Sequence, residues 1–246
     1  MGKKIKIRYS MLLITVLFIN IIFSDKVLAV EFIQQRGIDG TCIGGVISND
    51  TTLGLEESPY ILTEDIQIAY GATLTIEPGV IIKGNNNYIK IWGVLNATGT
   101  ESNKITFDDV KISLNGTAKE NSFMDISFAE INGGSIVSPG GGSMYGSFNL
   151  RDSYIKNTEN YMYIWYPKAD VNIERNIFEN SGGISVGTSG NVKVAIRNNV
   201  FYKQTSNFAV QNWASYDSSE TIVEYNSFMS TDRIALRLPR DTAIQR

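Results

Sequence analysis

The chain contains no histidine among its 246 residues. This absence excludes catalysis by a Ser-His-Asp triad or a Cys-His pair, because both use an imidazole as the general base. It also removes the nitrogen ligand that zinc sites use most often. Several large enzyme classes are therefore excluded before any motif is considered.

Cysteine is nearly absent as well. Cys42 is the single cysteine, so no disulfide can form within the chain. It follows Gly40 and Thr41, which do not form a lipid-attachment motif. Two interpretations stay open, a bond between two chains or a small and partly buried side chain, and the second is the commoner use of an isolated cysteine.

A long hydrophobic run is also missing. The main apolar stretch, Met11 to Phe23, has thirteen residues, fewer than the roughly 18–20 that span a bilayer as a helix. It is preceded by the basic residues Lys3, Lys4, Lys6 and Arg8. Val27-Leu28-Ala29 follows as a small-residue cleavage site. The pattern predicts a signal peptide over residues 1–29 and a secreted or cell-surface protein, with an uncleaved membrane anchor as the alternative.

Basic residues are scarce beyond that segment. Loss of residues 1–29 would remove five basic residues and one acidic residue, moving the formal charge from −3 to −7. An acidic chain is a poor match for the phosphates of nucleic acid, so we expect no nucleic-acid partner. It also has no long-range attraction for an anionic polymer, whereas neutral glycans remain compatible with this charge.

What the sequence does contain is an internal repeat. Five segments, 124–131, 148–155, 171–178, 194–201 and 221–228, alternate apolar and polar residues, and a sixth segment, 103–110, fits more loosely. Aligned on one inward position, they place Ile105, Ile126, Leu150, Ile173, Ile196 and Val223 at spacings of 21, 24, 23, 23 and 27 residues. One copy predicts one coil of three short strands. Leucine-rich repeats have a similar period, but their leucine consensus is missing.

Three columns of the aligned copies have structural interpretations. A turn column contains Asp108, Ser153, Asn176, Asn199 and Asn226; asparagine tolerates the left-handed backbone of a tight bend. An inward core column contains Val110, Ile131, Ile155, Phe178, Phe201 and Phe228. An outward column of alternating charge contains Arg151, Glu174, Arg197 and Glu224, which we expect to be neighbours on successive coils.

Segments 72–83, 93–100 and 105–107, which read ATLTIEPGVIIK, GVLNATGT and ITF, resemble the opening coils of β-helix surface proteins in the pectate lyase-like superfamily. The resemblance implies an all-β, right-handed parallel β-helix, and it implies function only weakly because that superfamily includes lyases, hydrolases, adhesins and passive stalks. We expect about 7–8 coils over residues 58–246, preceded by an N-terminal cap over 30–57.

The C-terminal end of the repeat lacks an evident cap. After residues 234–238 no amphipathic helix or polar segment follows. This indicates a truncated sequence, an end covered by a partner or a short tail, or an open edge available for end-to-end association.

A candidate site lies on the strand that follows the longest turn of each coil. There residues 162, 164, 184, 186, 208, 210, 234 and 236 are predicted to point inward. The predicted outward set includes Ser185, Ala209 and Ala235 together with a candidate carbohydrate platform of Tyr161, Tyr163, Trp165, Gln211 and Arg237, with Trp213 in the next loop. Exposed aromatic rings suit the apolar faces of sugars. A register error of one residue would instead place these aromatics in the core.

Catalytic motifs are incomplete. Calcium is possible at Asp108, Asp109 and Asp125, although solvated carboxylates are the ordinary interpretation. The lyase motif Arg-x-Pro-x-x-Arg has Arg237 and a proline but Thr242 at its last position, and the Gly-His-Gly motif of polygalacturonases is impossible without histidine. We therefore expect a polysaccharide-binding module without metal or catalysis. The alternatives are a lyase or hydrolase with an incomplete site, and a structural spacer or adhesin.

Overall fold

The computed structural model describes residues 31–117, 120, 122–137, 146–229 and 233–238. Short strands follow one another along this part of the chain and stack in parallel, so the predicted right-handed parallel β-helix is confirmed. The sheet that takes one strand from each successive coil has eight strands, which corresponds to about eight coils. The predicted signal peptide, Pro239, Arg240 and Thr242 lie outside the described residues.

Each coil contributes one strand to each of three faces. The first face contains β6 (Ile81–Lys83), β9 (Ile105–Asp108), β12 (Ala129–Asn132), β15 (Tyr154–Lys156), β18 (Ile177–Glu179), β21 (Val200–Tyr202) and β24 (Ser227–Met229). The second face contains β3 (Thr51–Leu53), β5 (Thr73–Ile76), β8 (Val94–Thr98), β11 (Ser122–Ser127), β14 (Gly146–Arg151), β17 (Val171–Glu174), β20 (Lys193–Arg197) and β23 (Glu220–Glu224). The third face contains β7 (Tyr88–Ile91), β10 (Lys111–Leu114), β13 (Ser135–Val137), and then the four-stranded sheet β16 (Met162–Trp165), β19 (Ile184–Thr188), β22 (Phe208–Ser215) and β25 (Ile234–Arg237).

The first coil is built differently. Strands β2 (Thr41–Ile47) and β4 (Tyr60–Ile68) run from the first face onto the third, and β1 (Ile33–Arg36) pairs antiparallel with β2. A single 3-10 turn, Leu55–Glu57, precedes β4. Parallel pairing of β2 with β4 and of β3 with β5 thus begins within residues 30–57, the segment predicted to be a cap. Cys42 is a half-buried free thiol on β2. No helix in the described part of the chain is long and apolar enough to cross a membrane.

The core column forms as predicted over most of its length. Ile131, Ile155, Phe178, Phe201 and Phe228 occupy equivalent positions on successive strands of the first face. The rings of Phe178 and Phe201 stack with centroids 4.9 Å apart, and those of Phe201 and Phe228 are 5.2 Å apart. A parallel stack places identical side chains one strand spacing apart, which is close to the preferred separation of aromatic rings.

The predicted alignment is wrong for segment 103–110. Ile105 pairs with Ala129 on the first face, whereas the partner of Ile126 on the second face is Ala97. As a result Phe107, rather than Val110, precedes Ile131 in the core column, and Asp108 pairs with Asn132 outside the turn column. The loop between β10 and β11 lengthens this coil. A search for a nearly constant spacing therefore selects β9, which has the same period-two pattern, instead of β8.

The asparagine column forms, but for a reason other than the predicted one. The left-handed residues are those just before it, Asp152, Arg175, Asn198 and Tyr225, with φ between 51° and 56°. Asn176 and Asn199 are buried, and each side chain bonds to the neighbouring coils. Their side chains therefore satisfy buried backbone groups at the turn, which is a stronger requirement than tolerance of a bend.

The residues of the outward charge column are neighbours on successive coils, as predicted. Some of them form ion pairs within the column and others with residues outside it. Arg197 forms an ion pair with Glu224 at 2.7 Å. Arg151 instead binds Asp125 at 2.8 Å, and Glu174 pairs with Arg175 at 3.2 Å. Since these pairs are partly exposed, each contributes under about 1 kcal/mol and mainly supports the register.

Candidate functional site

The candidate site lies on the third face, on the sheet formed by β16, β19, β22 and β25. On β16 the side chains of Met162 and Ile164 are buried in the core, while Tyr163 and Trp165 are partly exposed on the outside. The outward register predicted for this strand is therefore confirmed, and the alternative that places its aromatics in the core is wrong. Alternation with period two on a half-buried strand explains the arrangement.

The aromatic side chains form a continuous row. The ring centroids of Tyr161 and Tyr163 are 6.0 Å apart with 57° between the ring planes. Tyr163 and Trp165 are 5.0 Å apart in an edge-to-face arrangement, with 72° between their planes. The hydroxyl oxygen of Tyr161 also accepts a hydrogen bond from the amide of Phe208 at 3.1 Å, which ties the row to β22. Edge-to-face contact is a preferred geometry for aromatic pairs.

Ser185 lies on β19, paired with Tyr163 of the row, and is fully buried. Its hydroxyl oxygen accepts the indole N–H of Trp165 at 3.3 Å and that of Trp213 at 3.1 Å. The side-chain amide nitrogen of Gln211 is a third donor, 3.0 Å from the same oxygen, whose two lone pairs the three donors share. One serine on β19 thus holds side chains from the strands on both sides of it.

Trp213 lies within β22, not in a loop as predicted from the sequence. The register between β19 and β22 shifts after Val186, so that Gly187 pairs with Ala214 and Trp213 is the extra residue of a β-bulge. A bulge redirects a side chain relative to its strand. Here the side chain of Trp213 is 52% exposed while its indole N–H remains bound to Ser185.

These side chains surround an open cleft of about 370 Å³. The cleft is lined by Trp165, Tyr166, Gly187 and Trp213. At its edge the guanidinium of Arg237 lies 4.2 Å from the centroid of the Trp213 ring and 5.3 Å from that of Phe208. Such cation–π contact fixes a cation over the face of an aromatic ring.

Several residues predicted to face outward or inward on these strands have a different exposure in the structure. Gln211 is buried and committed to Ser185, so its side chain is not on the accessible surface. Ala209, predicted to point outward, is fully buried in the core. Phe208, predicted to point inward, is only half-buried and contacts Arg237. These three residues precede the bulge and keep a regular register with β19 and β25. The burial of Gln211 follows from its bond to Ser185 on the outer side of the sheet.

Sequence reasoning did not identify Tyr166, Gly187 and the role of Ser185. Tyr166 has a left-handed backbone, with φ of 49°, immediately after β16. Gly187 is the partner of Trp165 in the pairing of β16 with β19. The sequence gives no signal that Tyr166 and Gly187 lie together, because their contact depends on the alignment of successive coils.

The fold separates Asp125 from Asp108 and Asp109, the other acidic residues considered for calcium. Asp125 lies on β11 in an ion pair with Arg151, while Asp108 lies on β9 and accepts a hydrogen bond from Asn132 at 2.9 Å. Within the described ranges, no group of three or more Cys, Asp or Glu side chains is arranged to hold a metal ion.

Comparisons with known proteins identify no family for this chain. No family model matches the chain, and no solved structure matches it. A segment of 63 residues is 48% identical to "Protein bark beetle" of Drosophila melanogaster, covering 25% of this chain and 2% of that protein. The chain thus spans a small fraction of that relative's length. The likeness to the pectate lyase-like superfamily remains a resemblance of motifs.

Proposed function

We propose that this protein is a secreted or cell-surface β-helix module that binds polysaccharide at the aromatic cleft of its third face. The observation that carries the proposal is the convergence of Trp165 and Trp213 on Ser185, beside a cleft open to solvent. Burying both indoles in the core would be the favourable arrangement for packing alone. Instead, hydrogen bonds and a bulge keep their rings at the surface.

The chemistry of the cleft suits a sugar. Aromatic rings pack against the apolar C–H faces of pyranose rings, and polar groups at the edge set orientation. Arg237 supplies such a group: within the described residues it has no carboxylate partner, and its guanidinium is held by two rings. None of the described residues that line the cleft is a carboxylate. The proposal is therefore binding rather than glycosidic bond cleavage, which uses paired carboxylates.

The test is retention of the purified protein on an array of neutral and acidic polysaccharides and in affinity gels that contain them. We expect Trp213→Ala to weaken binding roughly tenfold, since an aromatic contact contributes about 0.5–1.5 kcal/mol beyond its buried area. Tyr163→Ala should weaken it less, because Tyr163 does not line the cleft.

Tyr225→Ala is the matched control. Tyr225 is 79% exposed and lies in the turn between β23 and β24, on another side of the coil. The substitution removes a surface aromatic side chain without changing the cleft. The Tyr225→Ala variant should therefore bind polysaccharide as strongly as the unmodified protein. Equal retention of the Trp213 and Tyr225 variants would refute the proposed site, and absence of retention on every polysaccharide would refute the proposed function.

A further inference from the structure

We propose that the cleft accepts a single sugar ring at a chain end or branch, with Ser185 as a positioning residue and Gly187 as the residue that determines specificity. This inference rests on the proposed function and concerns how the site selects its ligand. The alternative is a flat surface on which several consecutive units of a long chain lie.

The orientation of the aromatic rings argues against a flat surface. A flat surface on which several consecutive sugar rings of one chain lie presents aromatic faces that are nearly parallel. Here Tyr161 and Tyr163 are inclined by 57° and Tyr163 and Trp165 by 72°. The row therefore offers no common plane, and Tyr163 and Trp165 pack against each other by edge-to-face contact.

The size of the cleft also favours a small unit. Its volume of about 370 Å³ lies near the lower end of the roughly 300–1,000 Å³ typical of small-molecule sites. Three aromatic side chains line it, from the end of β16, the following turn and the bulge of β22. A ring that enters such a cleft is contacted from more than one side, which an internal unit of a packed polysaccharide cannot easily achieve.

Ser185 fixes the two indoles relative to each other. Both indole nitrogens and the buried Gln211 amide lie within hydrogen-bond distance of its one hydroxyl oxygen, whose two lone pairs these three donors share. Because the serine is fully buried on a central strand of this sheet, the indoles are held before any ligand arrives. Preorganisation of this kind reduces the entropy lost on binding.

Gly187 keeps the cleft open. A Cβ atom at this position would meet only the ring of Tyr166, at 3.9 Å, which is ordinary van der Waals contact. A larger side chain is therefore compatible with the backbone and would project among the cleft-lining rings. The lack of a side chain has no evident backbone cause here, in contrast to Gly182, where a Cβ would lie 1.4 Å from the carbonyl oxygen of Asn160.

The first experiment compares a linear β-1,4-glucan and polygalacturonate, each as the polymer and as short oligosaccharides made from it, in competition assays at equal mass. If the cleft binds chain ends, the oligosaccharides, which have more ends per gram, should compete about tenfold better per gram than the polymers. Better competition by the long polymers would overturn the inference while leaving glycan binding intact.

The second experiment uses variants at the two assigned positions. Gly187→Val should reduce oligosaccharide binding by about tenfold or more with an unchanged urea midpoint. Ser185→Ala should move the indole N–H resonances of Trp165 and Trp213 and weaken binding several-fold, and Ser185→Thr, which keeps the hydroxyl, should restore both. A Gly187→Val protein that binds normally would overturn the inference. If the unmodified protein binds neither the polymers nor the oligosaccharides, the inference fails together with the proposed function.

Discussion

At the scale of the residue, Asn199 shows how one side chain joins three coils. Its side-chain oxygen accepts the amide N–H of Asn176 at 2.9 Å, and its nitrogen donates to the carbonyl of Ile173 at 2.9 Å. The backbone N–H of Asn199 in turn donates to the side chain of Asn226 at 2.9 Å. Because the position is buried, water cannot replace these partners.

We expect Asn199→Ala to destabilise the protein by about 2–4 kcal/mol, because it leaves a buried donor and a buried acceptor unsatisfied. The measurement is the free energy of unfolding in urea. Asn172→Ala is the matched control: Asn172 lies on the outward side of the second face, and its side chain bonds that of Asn149 at 3.0 Å. Its loss should cost under about 1 kcal/mol. Equal effects of the two substitutions would show that burial is not what makes the column stabilising.

At the scale of the element, neighbouring coils are also joined on their outer side. Asp65 on β4 accepts the amide N–H of Tyr88 at 2.8 Å and forms an ion pair with Lys90 of β7 at 2.7 Å. Burial alone would raise the pKa of Asp65. The bonds from Lys90 and Tyr88 and the charges of Lys90 and Lys111 outweigh it and lower the pKa below its ordinary value of 3.8.

A pH dependence follows from this lowered pKa. A carboxyl whose pKa is lower in the folded state stabilises the protein above its unfolded pKa of 3.8, and this contribution is lost as the pH falls through the folded value. We therefore expect the urea midpoint of the unmodified protein to fall more steeply below about pH 4 than that of Asp65→Asn. The asparagine oxygen can still accept from Tyr88, so the comparison isolates the charge.

Lys90→Gln tests the same pair from the other side. Loss of the cation removes two causes of the lowered pKa, while the bond from Tyr88 and the charge of Lys111 remain. The acid profile of this variant should therefore lie between those of the unmodified protein and Asp65→Asn. Parallel profiles for all three proteins would contradict the assigned cause. The effect should be small, because both side chains are more than a third exposed and solvent screens their interaction.

At the scale of the whole molecule, stability comes from stacking similar coils. Val171 and Val194 are paired on adjacent coils, as are Phe178 and Phe201. Removing residues 171–193 would delete β17, β18 and β19 and bring Phe148 opposite Val194. Since each coil contacts mainly its neighbours, the remaining coils can close over the gap.

We expect the protein without residues 171–193 to fold, with its long dimension reduced by about 4.8 Å in small-angle scattering. Its β-sheet circular dichroism should persist. It should also lose glycan binding, because Ser185 and Gly187 are removed. Deletion of Ala195 alone is the control: it places Val194 and Ile196 next to each other, so one of these buried side chains must face outward. If deletion of Ala195 destabilised the protein less than deletion of residues 171–193, the stacking account would be contradicted.

The sequence by itself determined the repeating unit, the core column and the outward aromatics of β16. These features depend on alternation along a short strand and on repetition of the same residues, both of which are local and visible in the chain. The pattern of Met162, Tyr163, Ile164 and Trp165 predicts which side chains are exposed without knowledge of any neighbour.

Only the tertiary structure decided which strands are neighbours and what the cleft contains. Ile105 fits the repeat as well as Ala97 does, but the length of the intervening loop makes Ala97 the partner of Ile126. The bulge that turns Trp213 outward, the burial of Gln211 and the place of Gly187 beside Tyr166 all depend on pairing between coils of unequal length. Such registers are set by contacts distant in sequence, so period and composition could not specify them.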